Sequence, residues 1–422
     1  MAVVNIPETD LPRIVIVGAG FAGLTLARKL VKKKFQVVIF DKNNYHQFQP
    51  LLYQVAMSGL EPSSISFPLR KAFQNYQNMH IRIAEVKEIQ PDQKRIITDI
   101  GYCHYDKLVI ATGADTNYFG NMQIAQNTYS IKSVSEAMYL RNQILSDFEL
   151  AIITRDFDER QIFLDTVIVG GGPTGVELAG ALAEMKTYIL PKDYPELRAE
   201  EIDIYLIQGT DQLLQGMSAN AGAAAEKFLT GMGVKVIKNA IVTDVRDNMV
   251  YLNNGQTIQA GKVIWAAGVK AKVIPGLEGS VLDKSGRYIV DRQHRVSGCE
   301  HIYAIGDVAI IRTEKYPNGH PQVAQAAMQQ ATHLAGLLIS GKHTDFEYVD
   351  KGSMATIGRN KAVADIARLH LSGFFAWVMW LFVHLLYIIG VKNRFFVFMN
   401  WVWNYFTYDQ SLRLILRAQR KS

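Results

Sequence analysis

Cysteine is scarce in this chain: two in 422 residues, Cys103 and Cys299. They form no Cys-x-x-Cys pair and no metal-ligand spacing, which argues against a disulfide scaffold, a dithiol redox centre and a metal site. The expectation is two reduced, structural thiols in a cytosolic protein. The opening residues, "MAVVNIPETDLPR", lack a basic stretch followed by an apolar one, so no secretory signal is read there. An excess of one sign of charge is also lacking. The net charge is +6, and no Lys/Arg block with interleaved aromatics occurs in the first 370 residues. Nucleic acid is therefore not an expected partner. Low-complexity tracts are absent.

Apolar residues are plentiful, at 49% of the chain, enough for the cores of two or three domains. They gather at the C-terminal end. Residues 373–391, "GFFAWVMWLFVHLLYIIGV", carry no formal charge, and His384 is their most polar member. "KNR" follows, then an aromatic, basic stretch in which Asp409 is the only acid. Every Trp except Trp265 lies in this tail. About 20 apolar residues suffice to span a bilayer. The tail therefore reads as a span, as a buried helix or dimer contact, or as a pair of interfacial helices. The Trp and basic residues around and after Asn400 weigh toward the interface, where amphipathic rings and cationic stems sit well.

Two segments share one design. Residues 13–41, "RIVIVGAGFAGLTLARKLVKKKFQVVIFD", read as a buried strand, a glycine turn, a helix and a second strand ending in Asp41. Residues 166–208 repeat the pattern with a longer connection and end in Gln208. Closing strands follow each copy, "KLVIATGA" at 107–114 and "KVIWAAGV" at 262–269. The stretch between the first turn and "ATG" reads as helical and polar, and residues 121–160 as largely helical. A helix is expected just after Pro321 and a β-hairpin or meander over 346–368.

The glycines have separate tasks. Gly18 and Gly170 permit the tight turn, Gly20 and Gly172 let backbone approach a pyrophosphate, and Gly23 and Gly175 let helix and strand pack closely. The helix N-terminus then offers N–H groups and a positive dipole end to phosphate. Asp41 stands where a carboxylate can accept from ribose hydroxyls. Glu177, read as lying in the first turn of the second helix, has two readings: a carboxylate favoured by the helix dipole, or a group holding a nicotinamide or a proton beside a redox centre. Two such units suggest two nucleotides, a held FAD and a visiting NAD(P)H. "IYAIGD" at 302–307 supports this, because Asp307 can accept from ribityl hydroxyls. The helix beyond it would aim its N-terminus at the flavin. Gln325 and Gln329 share one face of that helix.

The order "GAGFAG", "ATGA", "GGGPTGVELAG", "AAGV", "AIGD" resembles the two-dinucleotide-binding-domain flavoproteins, with a fold like glutathione reductase. "FQPLLYQVA" at 48–56, "VAQAAMQQA" at 323–331 and the aromatic basic tail resemble, within that group, the type II NADH dehydrogenases, which are non-proton-pumping NADH:quinone oxidoreductases. The resemblance implies FAD contacts at Gly18, Gly20, Phe21, Ala22, Gly23, Asp41, Lys42, Val86, Ala111, Thr112, Gly113, Gly306, Asp307, Ala324 and Gln325. It implies NAD(P)H contacts at Gly171, Gly172, Thr174, Gly175, Glu177, Gln208 and Gly268. Glu177 and Gln325 are the implied catalytic residues, and Gln329, Lys392 and Arg394 the implied quinone or membrane side, with "KNR" as a basic loop. Disulfide reductases and sulfide:quinone reductases of this fold need cysteines that this chain lacks.

The expected architecture is α/β: two Rossmann-like dinucleotide-binding domains and a C-terminal helical membrane-anchoring segment. The FAD domain is drawn at 1–125 with 290–370, the NAD(P)H domain at 126–289 and the tail at 371–422. The expected activity is NADH oxidation, with NADPH as a second donor, through FAD to a membrane quinone. The protein would sit on the cytoplasmic face of the cell membrane, peripheral and monotopic, with the bilayer as a partner and a homodimer left open. Rival readings are a flavin reductase for a soluble acceptor such as ferredoxin or rubredoxin, and a non-catalytic FAD-binding membrane redox sensor. Gln208 stands where an acid usually favours NADH. An amide can still bond the 2′-hydroxyl but does not repel a 2′-phosphate.

Overall fold

The computed structural model describes residues 2–277, 279, 281–408 and 412–416; Asp409 and the end of the expected tail segment lie outside the described residues. The elements that position the site run in chain order. They begin with β1 (Arg13–Val17), α1 (Phe21–Leu30), β2 (Gln36–Asp41), α2 (Leu52–Ala56), β3 (Met79–Ile83) and β4 (Lys107–Ile110). There follow α3 (Val134–Ile153), β5 (Thr166–Val169), α4 (Pro173–Tyr188), β6 (Ile204–Ile207), β7 (Val234–Ile237) and β8 (Lys262–Trp265). The last are β9 (Ile302–Ala304), α5 (Ala324–Ser340), β10 (Ser353–Gly358), β11 (Lys361–Ile366), β12 (Leu369–Ser372), α6 (Phe374–Tyr387) and α7 (Val391–Thr407).

The chain divides into two compact units. The first comprises Met1–His46, Phe67–Asp115 and Val269–Lys351. Its sheet has the order β9-β4-β1-β2-β3, and every pairing is parallel. The middles of its central strands are apolar because both faces of a parallel sheet are covered; here Val15, Val38, Phe40 and Leu108 pack in one cluster with Ile89, Ile96 and Cys103. Val15, Val17, Val38, Phe40, Leu108 and Ile110 form the centre of its core. The helical reading between the first turn and "ATG" holds around Pro50, Pro62 and Pro68, where Gln49–Leu51, α2, Pro62–Ile65 and Leu69–Ala72 are short helices, but fails between β3 and β4, where the chain is largely extended. Val86–Gln90, Arg95–Thr98 and Gly101–His104 form an antiparallel three-stranded sheet, in which Ile89, Ile96 and Cys103 turn inward. Their alternation has the period of a strand, not of a helix.

The second unit comprises Gln47–Ser66, Thr116–Gly268 and Gly352–Ser422. Its sheet, β7-β6-β5-β8, is again parallel. The packing units therefore differ from the drawn boundaries: 47–66, 352–370 and the tail all pack with the second glycine unit. One cause is Gly180 on α4. A Cβ there would lie 1.6 Å from the Ile357 carbonyl oxygen, so only glycine lets β10 lie directly on the helix. The largely helical reading of 121–160 matches three helices, Met122–Asn127, α3 and Phe157–Leu164. Ser133 and Glu136 start α3 with a reciprocal capping box.

Some boundaries move. The helix expected just after Pro321 starts at Ala324, since Val323 is still extended. The hairpin or meander expected over 346–368 is a three-stranded meander, β10-β11-β12, and only its bounds move, toward the tail. The apolar run 373–391 is not one helix. α6 ends at Tyr387, Ile388 is extended, and Gly390 has φ +88° before α7 begins. The 14 residues of α6 reach about 21 Å at 1.5 Å per residue, short of the roughly 30 Å of a hydrocarbon core. Among the described residues no helix is long and apolar enough to cross a membrane. Both helices carry exposed large apolar side chains instead, including Phe375 (74% exposed), Phe382, Phe395, Trp403 and Phe406 (77%).

Candidate active site

In the first unit, β1 delivers the chain into Gly18 at φ +101°, and α1 starts at Phe21 with Gly20 as an N-cap that offers no side-chain oxygen. The first-turn N–H groups are thus left for a ligand. A Cβ on Gly20 would meet nothing within 4 Å, whereas one on Gly23 would lie 1.9 Å from the Gly18 carbonyl oxygen. The loop is closed beneath and open above, a cradle of the shape a pyrophosphate needs. Asp41 holds it: one carboxylate oxygen accepts from Ala19 N–H at 2.6 Å and the other from Asn43 N–H at 2.7 Å. Burial raises the Asp41 carboxyl, and these two bonds oppose that rise. Lys42 pairs with Glu85, and Ala84 N–H donates to the Asp41 carbonyl, which draws Val86 toward the end of β2. A Cβ on Gly18 would strike the Ala111 carbonyl at 2.4 Å. Beyond Ala111, Thr112 Oγ1 donates to the Lys272 carbonyl at 2.5 Å, and Gly113 faces open space at φ +71°.

Residues from the end of this unit join the same loop. Gly306, at φ +78°, lies against Ala22 of α1 and Ala327 of α5. Its N–H donates to buried Gln330 Oε1 at 2.6 Å. The Asp307 carbonyl accepts from Gln322 Nε2 at 2.8 Å. Two residues that sequence reasoning passed over matter here. Gln330 is one. His46 is the other: it is buried, and its Nδ1 faces the Ala19 carbonyl at 2.9 Å while Nε2 has no partner. Burial pushes its imidazole down to about 4, so it is neutral, and the orphaned nitrogen beside the glycine loop is an acceptor a bound group would satisfy. The donor set and the open cradle fit the FAD of the sequence reading.

The second unit repeats the cradle. A Cβ on Gly172 would also meet nothing within 4 Å, and one on Gly175 would lie 1.8 Å from the Gly170 carbonyl oxygen. Thr174 is exposed in the first turn of α4, and Gly268 closes the turn after β8 at φ +86°. Gln208 takes the structural place of Asp41. Its Oε1 accepts from Gly171 N–H at 2.7 Å, as Asp41 does from Ala19. Its Nε2 donates to Thr210 Oγ1 at 2.7 Å and toward the Gln212 carbonyl at 3.3 Å. The amide is pinned at both ends and carries no charge.

Glu177 is not in the first turn. With Gly172 as N-cap it is the fifth residue of α4, and the helix dipole fades within one turn. It is 8% exposed. Burial raises its carboxyl to about 8, and the Thr356 N–H and the Trp380 indole pull it partway back. The indole N–H lies near the carboxylate without closing a well-aligned bond. The dipole reading fails; Glu177 is a buried carboxylic acid, neutral at neutral pH.

Around Glu177 the second unit encloses a cavity of about 140 Å³. Tyr53 and Gln54 of α2, Glu177, Ala181 and Glu184 of α4, Thr356 and Arg359, Trp377 and Trp380 of α6, and Trp401 and Tyr405 of α7 line it. A short polar chain runs along one wall: Trp401 Nε1 donates to Gln54 Oε1 at 2.8 Å, and Gln54 Nε2 to the Tyr53 hydroxyl at 2.7 Å. The Arg359 guanidinium lies 4.0 Å from the ring centres of both Tyr405 and Tyr408. This is a flat, aromatic slot with one buried acid, suited to a planar apolar ligand that must be protonated.

The other expected residues fall elsewhere. Gln325 accepts from Lys351 N–H at 3.0 Å, and Gln329 bonds both the N–H and the carbonyl of Val349. These amides hold the 349–351 segment against α5. "KNR" is no loop but the first turn of α7. Arg394 Nε donates to the Ile388 carbonyl at 2.8 Å, tying off the bend between the tail helices, while Lys392 lies over the Phe396 ring. Tyr53 and Gln54 were visible within "FQPLLYQVA" without a role. Glu184 was visible only as a second acid seven residues after Glu177. Nothing in the sequence marked Arg359.

A family model described as pyridine nucleotide-disulphide oxidoreductase matches residues 12–331, and one described as NDH2 C-terminal domain matches 351–408. The chain is 33% identical to the type II NADH:quinone oxidoreductase NdhA of Mycobacterium tuberculosis, covering 92% of this chain and 86% of that protein. It is 27% identical to the internal alternative NAD(P)H-ubiquinone oxidoreductase A1, mitochondrial, of Arabidopsis thaliana, covering 94% and 84%. The structure of NDH2 from Plasmodium falciparum in complex with NADH superposes with a TM-score of 0.88 at 22% identity, covering 96% of this chain and 100% of that one.

Proposed function

The chain belongs to the type II NADH:quinone oxidoreductases, and from that premise we propose how its own residues carry the family's reaction. The protein oxidises NADH through FAD and reduces a quinone, without pumping protons. When bound, FAD supplies the two-electron chemistry, taking a hydride equivalent from NADH and returning two electrons to the quinone. The Gly18–Gly23 loop, Asp41 and Gly306-Asp307 hold FAD, and α1 and α5 direct their N-termini at it. The Gly170–Gly175 loop and Gln208 hold NADH. Because Gln208 is neutral and pinned, it fixes the loop without repelling a 2′-phosphate, and NADPH serves as a second donor.

The observation that carries this reading is the aromatic cavity with Glu177 inside it. The quinone ring enters between the tail helices and α4 and lies beside Glu177, which is neutral and has a proton to give. The Trp377, Trp380 and Trp401 rings wall Glu177 off from bulk solvent. The exposed aromatic faces of α6 and α7 rest in the bilayer interface on the cytoplasmic side, where NADH is found, so the substrate reaches the slot from lipid. The test is NADH-dependent reduction of a long-chain quinone by the detergent-solubilised holoenzyme, alongside a variant with Leu381→Trp, which enlarges a side chain of α6 that lines the cavity. That variant should lose quinone turnover while retaining NADH:ferricyanide turnover. Equal retention of both would remove the cavity from the reaction. Cosedimentation with phospholipid vesicles tests attachment; a dimer in their presence, with no vesicle binding, would assign the apolar faces to a second copy instead.

A further inference from the structure

The cavity contains a second carboxyl for which the reading above has no task. Glu184 lines it from α4, seven residues after Glu177. Seven residues are close to two helical turns, so both acids leave the same helix face, about 10 Å apart along the axis. β10 runs beside that face. The Thr356 N–H meets Glu177, the Ile357 carbonyl touches Gly180, and the Arg359 N–H donates to Glu184 Oε1. Gly358 is also needed, since a Cβ there would lie 2.8 Å from Glu184 Oε1. β10 and the residue that follows it thus fix two acids along one wall.

The surroundings of the two differ. Glu177 is buried, whereas Glu184 is half-buried. Burial raises the Glu184 carboxyl; the Arg359 N–H, then Lys361 and the Arg359 guanidinium, oppose that rise. Tyr408 faces it from the end of α7, and Tyr188 lies in the same cavity wall, its ring stacked on Tyr408 at 4.3 Å. Tyr53 faces both acids from α2. Burial holds its phenol well above the usual range, followed by the charges of Glu177 and Glu184. Its hydroxyl oxygen accepts from Gln54, which leaves its own proton to donate. Once the quinol has left, a cavity of about 140 Å³ has room for roughly five water molecules at ~30 Å³ each.

We propose that Glu184 is the positioning residue that reloads Glu177, taking protons from the solvent side of the cavity and passing them through cavity water and the Tyr53 hydroxyl. This rests on the cavity being the quinone-reducing site. Each quinone takes up two electrons and two protons. NADH brings both electrons and one proton, so one proton comes from water. In the assigned step the Glu177 O–H breaks as a quinol O–H forms. In one concerted shift Tyr53 gives its proton to the Glu177 carboxylate as it takes one from Glu184 through water, so no phenolate is left, and solvent reprotonates Glu184. No further oxidant or reductant is required.

Glu184→Gln tests this, because it keeps an oxygen for the Arg359 N–H and nearly the same volume. In the detergent-solubilised holoenzyme the ratio of NADH:quinone to NADH:ferricyanide turnover should fall roughly 10- to 100-fold. That is at or below the lower end of direct general-acid catalysis, because bulk water still reloads Glu177 slowly. The solvent deuterium isotope effect on quinone turnover should grow, and Glu184→Asp should recover part of the loss. Independently of turnover, infrared spectra of the oxidised protein during alkaline titration should lose one protonated-carboxyl band in the Glu184→Gln variant. An unchanged ratio and isotope effect overturn the relay, as does an equal loss with both acceptors or an unchanged infrared titration. Ala181→Trp, which fills the wall between the acids, separates the two levels. Quinone turnover that survives it removes the cavity itself; turnover lost there but kept in Glu184→Gln removes only the relay.

Discussion

Replacing Glu177 by Gln should make the protein more stable in alkali while making it a poorer quinone reductase. The carboxyl titrates at about 8 in the fold against an ordinary 4.5. Because the folded value is the higher, folding binds a proton over that interval. The stabilisation is complete below about pH 4.5 and is lost as pH rises through about 8. At about 1.36 kcal/mol per pH unit, the gap between the two values amounts to about 5 kcal/mol. A neutral amide of the same shape does not titrate, so that decline should vanish from the variant. Urea midpoints measured across this pH range for both proteins, with FAD bound, would show it. Turnover gives a second signature. One pH unit above its midpoint about a tenth of Glu177 remains protonated, so wild-type quinone reduction should fall tenfold per unit in alkali. Ferricyanide takes up no proton and its reduction should stay level. Parallel stability profiles for the wild type and the Glu177→Gln variant, or quinone turnover that is flat in alkali, would refute a buried acid that donates.

Three other outcomes follow from the geometry. Gln208→Glu places a charge where the 2′-phosphate of NADPH must approach, so the NADH:NADPH ratio of kcat/KM should rise roughly tenfold or more; an unaltered ratio would clear Gln208 of donor choice. Lys262, 1% exposed, is paired with Asp147, 5% exposed, and with the Phe163 carbonyl. Lys262→Met should cost about 3–5 kcal/mol in urea denaturation by stranding the carboxylate, and adding Asp147→Leu should restore most of it. Phe375→Asp with Phe406→Asp removes two exposed rings, each worth about 1.5–3 kcal/mol on burial, and should abolish vesicle cosedimentation without loss of bound FAD; undiminished binding would place the membrane contact elsewhere.

The glycine turns were legible because they answer to local geometry. Gly23 and Gly175 sit against the carbonyls of Gly18 and Gly170, five residues earlier, and such contacts recur with the motif. Asp41 and Gln208 were legible for the same reason, as the ends of strands beside those turns. The cavity was not, because its wall is drawn from 53–59, 177–189, 356–359 and 377–408, which meet only through packing. Glu177 shows the division clearly. Its position was readable, but its protonation is set by burial and by Thr356 and Trp380, far along the chain. The break at Ile388–Gly390 was hidden because the run is apolar throughout, and composition does not report a backbone angle.

Trp377, Trp380, Trp401 and Tyr405 belong to the same two helices that carry the exposed apolar faces. The tail is therefore not a replaceable tether. Grafting a foreign membrane anchor onto a chain cut at residue 372 would return the protein to lipid and leave the slot without a roof. On the proposed reading, a change that shifts α6 or α7 as a whole alters both the lipid-facing surface and the cavity wall, whereas a change confined to outward rings such as Phe375 and Phe406 alters the surface alone.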